Sequence, residues 1–193
     1  MIWLLARWLT DLLFPTLYRA RIVGLEHVPV TGPLIVAVNH VHWRDPPLAG
    51  WAVDQVRSPF FVGKAELFKN GLARFVLTGL HSIPLERGRG DVGALRKAED
   101  LLTAGGCLIM FPEGTRSRTG VPGRPKPGVG FLAQRTGAVV VPARVTGTLQ
   151  TFGPMAIRFG KPMRFETGEG PVTKQTYQAF AESVMDSILK LEA

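Results

Sequence analysis

The sequence has one cysteine and no apolar run long enough to cross a bilayer. A single thiol, Cys107, can form neither an intrachain disulfide nor a Cys-x-x-Cys site, and its apolar neighbours predict a buried strand residue. The N-terminal run 1–15 is interrupted by Arg7 and Asp11 and is shorter than the ~20 apolar residues of a spanning helix. It also lacks the basic leader and the small-residue cleavage site of a secretory signal. We therefore expect no disulfide, no transmembrane helix and no signal peptide in this sequence.

Two catalytic signatures are absent as well. No Gly-x-Ser-x-Gly motif marks a serine nucleophile, so a covalent triad has little support. His40 and His42 alternate, but no compact set of further ligands follows them, and we expect no metal site. The 193 residues are 46% apolar and contain no repeat or low-complexity stretch, which predicts one ordered globular domain.

Positive charge exceeds negative charge, with 23 Lys and Arg against 15 Asp and Glu and a net charge of +8. Such a surface favours polyanions, which include nucleic acid, anionic lipid headgroups and acidic proteins. The arginines are not interleaved with base-stacking aromatic residues, so nucleic acid is not expected as a partner.

The first segment of the chain is amphipathic on a helical wheel. Arg7, Thr10 and Asp11 form one narrow polar stripe, and an apolar side made of Ile2, Leu5, Trp8, Leu9 and Leu12 lies opposite. Tryptophan at this spacing suits a membrane interface, and we assign 1–14 as an interfacial anchoring helix and 15–193 as the globular domain. The alternative is a helix that packs on the protein's own core.

Short apolar segments alternate with longer helical ones along the rest of the chain, which predicts an α/β domain with a mostly parallel or mixed sheet flanked by helices. The predicted strands are Arg21–Val23, Leu34–Val38, Pro59–Val62, Ser82–Leu85, Cys107–Phe111, Val139–Val145 and Ala156–Phe159. The predicted helices are Pro47–Asp54, Leu67–Gly79, Asp91–Ala104, Val129–Arg135 and a last one that starts near Thr173. In such sheets the working residues lie in loops at the carboxyl ends of strands.

The loop after Leu34–Val38 carries His40 and Asp45. A histidine can accept a proton at neutral pH, and a carboxylate that approaches the ring can hold its tautomer and stabilise the imidazolium. Pro46 and Pro47 would stiffen a turn that brings the two together. The spacing alone also fits two polar residues on a surface turn.

The loop after Cys107–Phe111 has the composition of a phosphate site. Gly114 allows close backbone approach, and Thr115 and Ser117 can donate hydroxyl hydrogen bonds. Arg116 can bind an oxyanion with its bidentate fork. Lys126 belongs to the same basic run, whose alternative is a solvated loop. Glu113 among these cations favours a site, in which it would accept from a substrate hydroxyl or orient an arginine. Two weaker candidates for anion contacts are Lys64 and the pair Arg87 and Arg89.

Taken together, these motifs resemble the glycerolipid acyltransferase superfamily, in particular 1-acylglycerol-3-phosphate acyltransferases. The family motif Asn-His-x4-Asp appears at Asn39–Asp45 and the block FPEGTRS at Phe111–Ser117, in the family's order and spacing. Ile83–Arg87 and Val140–Pro142 resemble two further family blocks. One departure is His42, where family members often carry serine.

The resemblance implies transfer of a fatty acyl group from acyl-CoA or acyl-carrier protein to the free hydroxyl of 1-acylglycerol 3-phosphate, which gives phosphatidic acid without a cofactor. His40 would be the general base and Asp45 its support. Arg116, with Arg87, Lys64 and Lys126, would hold the acceptor phosphate, and Glu113 and Gly114 would shape that site. The protein would then be peripheral or monotopic on the cytoplasmic face of a membrane. Two alternatives stay open: another lipid acceptor, or a non-catalytic basic membrane-binding module.

Overall fold

The fold is a three-layer α/β domain in a computed structural model that describes residues 1–85, 92–117, 123–167 and 170–191. The helices of these ranges are α1 Ile2–Thr16, α2 Asp45–Asp54, α3 Gly71–Gly79, α4 Val92–Thr103, α5 Gly128–Thr136 and α6 Lys174–Lys190. The strands are β1 Arg21–Val23, β2 Leu34–Val38, β3 Pro59–Lys64, β4 Ser82–Leu85, β5 Cys107–Met110, β6 Val139–Thr146 and β7 Ala156–Phe159.

The seven strands form one mixed sheet in the order β1-β7-β6-β2-β5-β3-β4. Neighbours pair in parallel, except that β6 and β7 are antiparallel. The predicted α/β fold with a mostly parallel or mixed sheet is confirmed. Strand β2 lies in the middle, and all five of its side chains are buried. This burial on both faces explains why the strand reads as a continuous apolar run.

Helices cover both faces of the sheet. Leu34, Val36 and Val38 of β2 pack toward α2 and the end of α1, where Phe14 is buried. The alternate residues Ile35 and Ala37 pack toward α4, α5 and α6 on the opposite face. The two-residue period of a strand thus divides one apolar segment between two cores.

Helix boundaries differ from the predicted ones where proline and asparagine act at helix starts. Helix α2 begins at Asp45 rather than Pro47, because the missing N–H of a proline costs nothing in a first turn. The predicted helix Leu67–Gly79 is wrong as a single element. It divides into a 3-10 turn, Ala65–Phe68, and α3, because the Asn70 side chain accepts from two main-chain N–H groups and caps a new helix.

Helix α1 places its polar stripe toward the protein. The Arg7 guanidinium lies 3.3 Å from the Asp54 carboxylate of α2, and Asp11 accepts a hydrogen bond of 2.9 Å from the Trp51 indole N–H. The opposite side is exposed, with Leu5 63% and Trp8 68% accessible. Helix α1 extends to Thr16 because one proline in its last turn removes only a single hydrogen bond. In the described part of the chain, no helix combines the length and apolarity that a membrane crossing needs.

Candidate active site

The loops that follow β2 and β5 meet at the carboxyl ends of the strands. Because β2 pairs in parallel with β5, the two strands end on the same side, as expected for working loops in an α/β sheet. The main-chain N–H of Ser117 donates to the carbonyl of His40 over 2.9 Å. This bond joins the end of the FPEGTRS segment directly to the histidine of the other loop.

His40 and Asp45 form a hydrogen-bonded pair. His40 Nδ1 lies 2.9 Å from Asp45 Oδ2, and the same oxygen accepts the main-chain N–H groups of Val41 and His42, each over 2.6 Å. Asp45 is completely buried in the first turn of α2, where the helix dipole and these three donors stabilise its negative charge. The loop therefore folds around one carboxylate oxygen, and the carboxylate orients the imidazole.

The His40 ring is mostly buried beside Asp45. The phenyl ring of Phe111 stacks on the imidazole with 4.3 Å between centroids, and the His40 side chain is 14% exposed. Because Nδ1 faces Asp45, its proton belongs on that side, and Nε2 carries the lone pair that can accept a proton. The pair thus has the geometry of a general base with its orienting carboxylate.

Glu113 holds the two loops together through main-chain contacts. Its buried carboxylate accepts from the N–H of His40 over 2.9 Å at one oxygen and from the N–H of Gly123 over 3.0 Å at the other. The sequence predicted contact with a substrate hydroxyl or an arginine, and the described contacts are different. Each oxygen already has a main-chain donor, which offsets the cost of burying the carboxylate.

Asn39 is a site residue whose role the motif alone did not reveal. Its side-chain carbonyl accepts from the N–H of Val145 over 2.7 Å, and its side-chain N–H donates to the Val145 carbonyl over 3.1 Å. The amide continues the pairing of β2 with β6 by one residue beyond the strand. Its place before His40 in the Asn-His-x4-Asp motif was the available signal.

Three of the predicted phosphate contacts belong to the segment that follows β5, which we call the basic loop. Thr115, Arg116 and Lys126 are exposed. Gly114 has φ +70, and a Cβ atom there would stand 3.1 Å from the Nζ atom of Lys126, so the lysine side chain lies across the glycine. The glycine both permits this backbone conformation and leaves room for the ammonium group.

Two further predicted anion contacts, Lys64 and Arg87, belong to neighbouring parts of the sequence around β3 and β4. Lys64 is the last residue of β3, and its main chain pairs with Leu85 at the end of β4. Both residues therefore lie at the carboxyl ends of the strands, on the same side of the sheet as His40. Arg87 follows two residues after Leu85 and lies outside the described residues.

His42 has a pKa below its ordinary value. Burial is the main cause, since it disfavours the charged ring, and the neighbouring Arg44 guanidinium adds to it. Asp45 opposes the shift, whereas Arg116 and His40 lower the pKa further. The Arg116 guanidinium is therefore close enough to His42 for its charge to disfavour protonation of the ring.

Comparison with known proteins agrees with this geometry. The family model described as acyltransferase matches residues 19–146. A chloroplastic 1-acyl-sn-glycerol-3-phosphate acyltransferase of Arabidopsis thaliana is 31% identical over 144 residues, which are 73% of this chain and 39% of that protein. The chain therefore spans about two fifths of the length of this relative and of a similar one from Brassica napus, of which it covers 41%.

A third relative matches over nearly its whole length. The 1-acyl-sn-glycerol-3-phosphate acyltransferase of Bacillus subtilis is 26% identical over 177 residues, 89% of this chain and 87% of that protein. The crystal structure of a 1-acyl-sn-glycerophosphate acyltransferase from Thermotoga maritima superposes with a TM-score of 0.71 at 24% identity. It covers 97% of this chain and 79% of the other, and shares the fold. The matched family model spans six of the seven strands, β1 to β6, and both loops of the site, and this chain belongs to the acyltransferase family.

Proposed function

We propose that the protein transfers a fatty acyl group from acyl-CoA or acyl-carrier protein to the free hydroxyl of 1-acylglycerol 3-phosphate. The observation that carries the proposal is the buried Asp45 carboxylate 2.9 Å from His40 Nδ1, beside a loop that presents Arg116. Family membership and the names of the relatives support the reaction class and the acceptor.

The proposed reaction requires one base and no covalent enzyme intermediate. His40 Nε2 takes the proton of the acceptor hydroxyl while the oxygen attacks the thioester carbonyl. The C–S bond then breaks, an ester forms, and the proton passes from His40 to the leaving thiolate. Asp45 stabilises the imidazolium between the two proton transfers, and general-base assistance of this kind is worth ~10²–10⁴ in rate.

The acceptor phosphate is assigned to the basic loop. Arg116 supplies a planar fork suited to a phosphate, and Lys126 adds an ammonium group against Gly114. Lys64, the last residue of β3, joins this set in the proposal, as does Arg87, which follows β4 in the sequence. Glu113 contributes indirectly, since its carboxylate joins the histidine loop to the basic loop.

Helix α1 is assigned to the interface of a membrane, with the protein on the cytoplasmic face. Its polar stripe already has partners in α2, where Arg7 pairs with Asp54. Its exposed leucines and Trp8 would lie among lipid headgroups, where such side chains are favourable. The net charge of +8 adds attraction to anionic lipids. The lipid acceptor and product would then stay in the bilayer, and the thioester would come from the cytosol.

An acceptor and donor panel tests the proposal. Purified protein should form phosphatidic acid from 1-acylglycerol 3-phosphate and a labelled thioester, and His40→Ala should lower turnover by ~10²–10⁴ while a thermal melt shows that the variant is still folded at the assay temperature. Arg116→Ala should raise the acceptor KM. Arg164→Ala is the matched control, because Arg164 is exposed and follows Met163, which bridges to Val140 near the amino end of β6. Preference for another lipid acceptor would correct the substrate, and full turnover by His40→Ala would reject the base.

A further inference from the structure

Three large apolar side chains stand exposed beside the catalytic pair. Trp43 is 58% exposed, Leu149 62% and Phe152 69%. We call these three residues the apolar rim. Large exposed apolar groups that cluster next to a site indicate a surface made to contact something other than water.

The rim lies at the carboxyl ends of the strands, as His40 does. Strand β6 runs parallel to β2 and ends at Thr146, so the segment that follows it leaves the sheet where the histidine loop does. Arg44 joins the two, because its guanidinium donates to the carbonyls of Thr148 and Gln150. The same guanidinium lies over the Trp43 ring at 5.4 Å from the centroid. One arginine thus holds the tryptophan and the β6–β7 loop side by side.

The β6–β7 loop is closed at its base and holds its apolar side chains outward. Gly147 has φ +79, and a Cβ atom there would stand 2.2 Å from the carbonyl oxygen of Pro154. Gly153, at the other end, has φ +147. Both positions accept only glycine without strain. The short distance between Gly147 and Pro154 shows that the two ends of the loop lie close together. Leu149 and Phe152 are therefore exposed on an ordered loop.

The rim continues toward the exposed side of α1. The N–H of Met155, just after the loop, donates to the carbonyl of Tyr18 over 3.1 Å, and the Tyr18 ring lies 5.6 Å from the Arg44 guanidinium. Leu17, the residue between α1 and Tyr18, is 46% exposed, and Arg19 is exposed after it. The exposed leucines of α1, the rim and a flanking positive charge therefore occupy connected segments, a composition that suits an anionic lipid surface.

We propose that the apolar rim is a second membrane contact, which inserts among the headgroups and seats the mouth of the active site on the bilayer. The inference rests on the proposed membrane-bound acyl transfer, and adds that α1 is not the sole attachment. Insertion at this edge brings the hydroxyl of a lipid acceptor to His40 without full extraction of the lipid from the bilayer.

The test places an environment-sensitive fluorophore at Phe152→Cys. The native Cys107 does not compete for the label, because burial raises its pKa to about 12. With vesicles of phosphatidylcholine and phosphatidic acid, the probe at 152 should shift to the blue and be quenched by spin-labelled lipid. The same probe at Val30→Cys is the matched control. Val30 is 69% exposed but precedes β2, at the amino ends of the parallel strands and away from the rim. A third label, at Leu5→Cys, reports on α1.

A shift at 152 and at 5, with none at 30, supports the proposal, and Leu149→Ser/Phe152→Ser should then lower vesicle partition about tenfold or more. A shift at 5 without one at 152 overturns the rim and leaves the role of α1 intact. A shift at 152 that grows with protein concentration without vesicles assigns the surface to contact between copies of the chain. No shift at any site overturns every membrane contact, whereas phosphatidic acid formation in detergent tests acyl transfer separately.

Discussion

Asp45→Asn is the substitution that tests the proposed chemistry most directly. Asp45 Oδ2 is the acceptor for the His40 ring and for the main-chain N–H groups of Val41 and His42. An asparagine oxygen in the same place can still accept these bonds, but it brings no negative charge to stabilise the imidazolium. If the amide rotates instead, its NH₂ group faces Nδ1 and favours the tautomer whose Nε2 is protonated, which cannot act as a base.

The expected effect is large on turnover and moderate on stability. Because the lost charge would stabilise the imidazolium that forms when His40 takes the proton, kcat should fall by ~10²–10⁴, which corresponds to a barrier higher by ~3–5 kcal/mol. The charge-assisted bonds to the buried carboxylate become neutral ones, which should lower the free energy of unfolding by ~1–3 kcal/mol. The acceptor KM should change little, because the phosphate contacts belong to the other loop.

Steady-state kinetics and a thermal melt together decide the outcome. Asp54→Asn is the matched control, since Asp54 is also a buried aspartate and lies at the other end of α2, paired with Arg7. It should lose stability and keep its turnover. The double variant with His40→Ala should be no slower than His40→Ala alone, because the two residues act as one unit. A folded Asp45→Asn protein with more than about a tenth of the normal turnover would refute the dyad.

Three further predictions follow from the same geometry. Glu113→Gln leaves one carbonyl for two main-chain donors, so calorimetry should show a loss of ~1–3 kcal/mol and kinetics a lower kcat, because His40 loses its support. An unchanged melt would contradict this role. Arg116→Ala should raise the pKa of His42 toward 6.5, as followed by NMR titration, since Arg116 contributes to its lowered value. In the intact protein the unfolded chain binds more protons at this residue, so stability should fall as pH drops through 6.5. If the His42 pKa is the same in Arg116→Ala as in the unsubstituted protein, the charge of Arg116 does not act on the His42 ring. Cys107 should react with a thiol reagent at pH 8 only after unfolding, because burial raises its pKa to about 12. Rapid labelling of the native protein would place the thiol outside the core.

Much of the fold could be read from the sequence, because strands buried on both faces appear as uninterrupted apolar runs. Six of the seven predicted strands start and end within one residue of those in the structure, and β3 continues to Lys64. The location of the candidate site at the carboxyl ends of the strands also followed from the alternation of strands and helices, since parallel strands end on the same side. The spacing of His40 and Asp45 allowed a pair but did not require one. Their resemblance to a family motif, rather than the spacing, made the pair the preferred interpretation.

The amino-acid order by itself determined which segments are apolar, which loops carry charge, and where helices can start. Only the tertiary structure decided which of these groups are partners. Nothing in the hydropathy of α1 says which side meets the protein, because that depends on Asp54 and Trp51 of a helix some forty residues away. Likewise, the sequence shows Glu113 only as a carboxylate among cations, whereas the structure shows that its oxygens accept main-chain N–H groups from two separate segments. Periodicity is a local property of the chain, whereas the satisfaction of a buried polar group depends on whichever donors the fold brings to it.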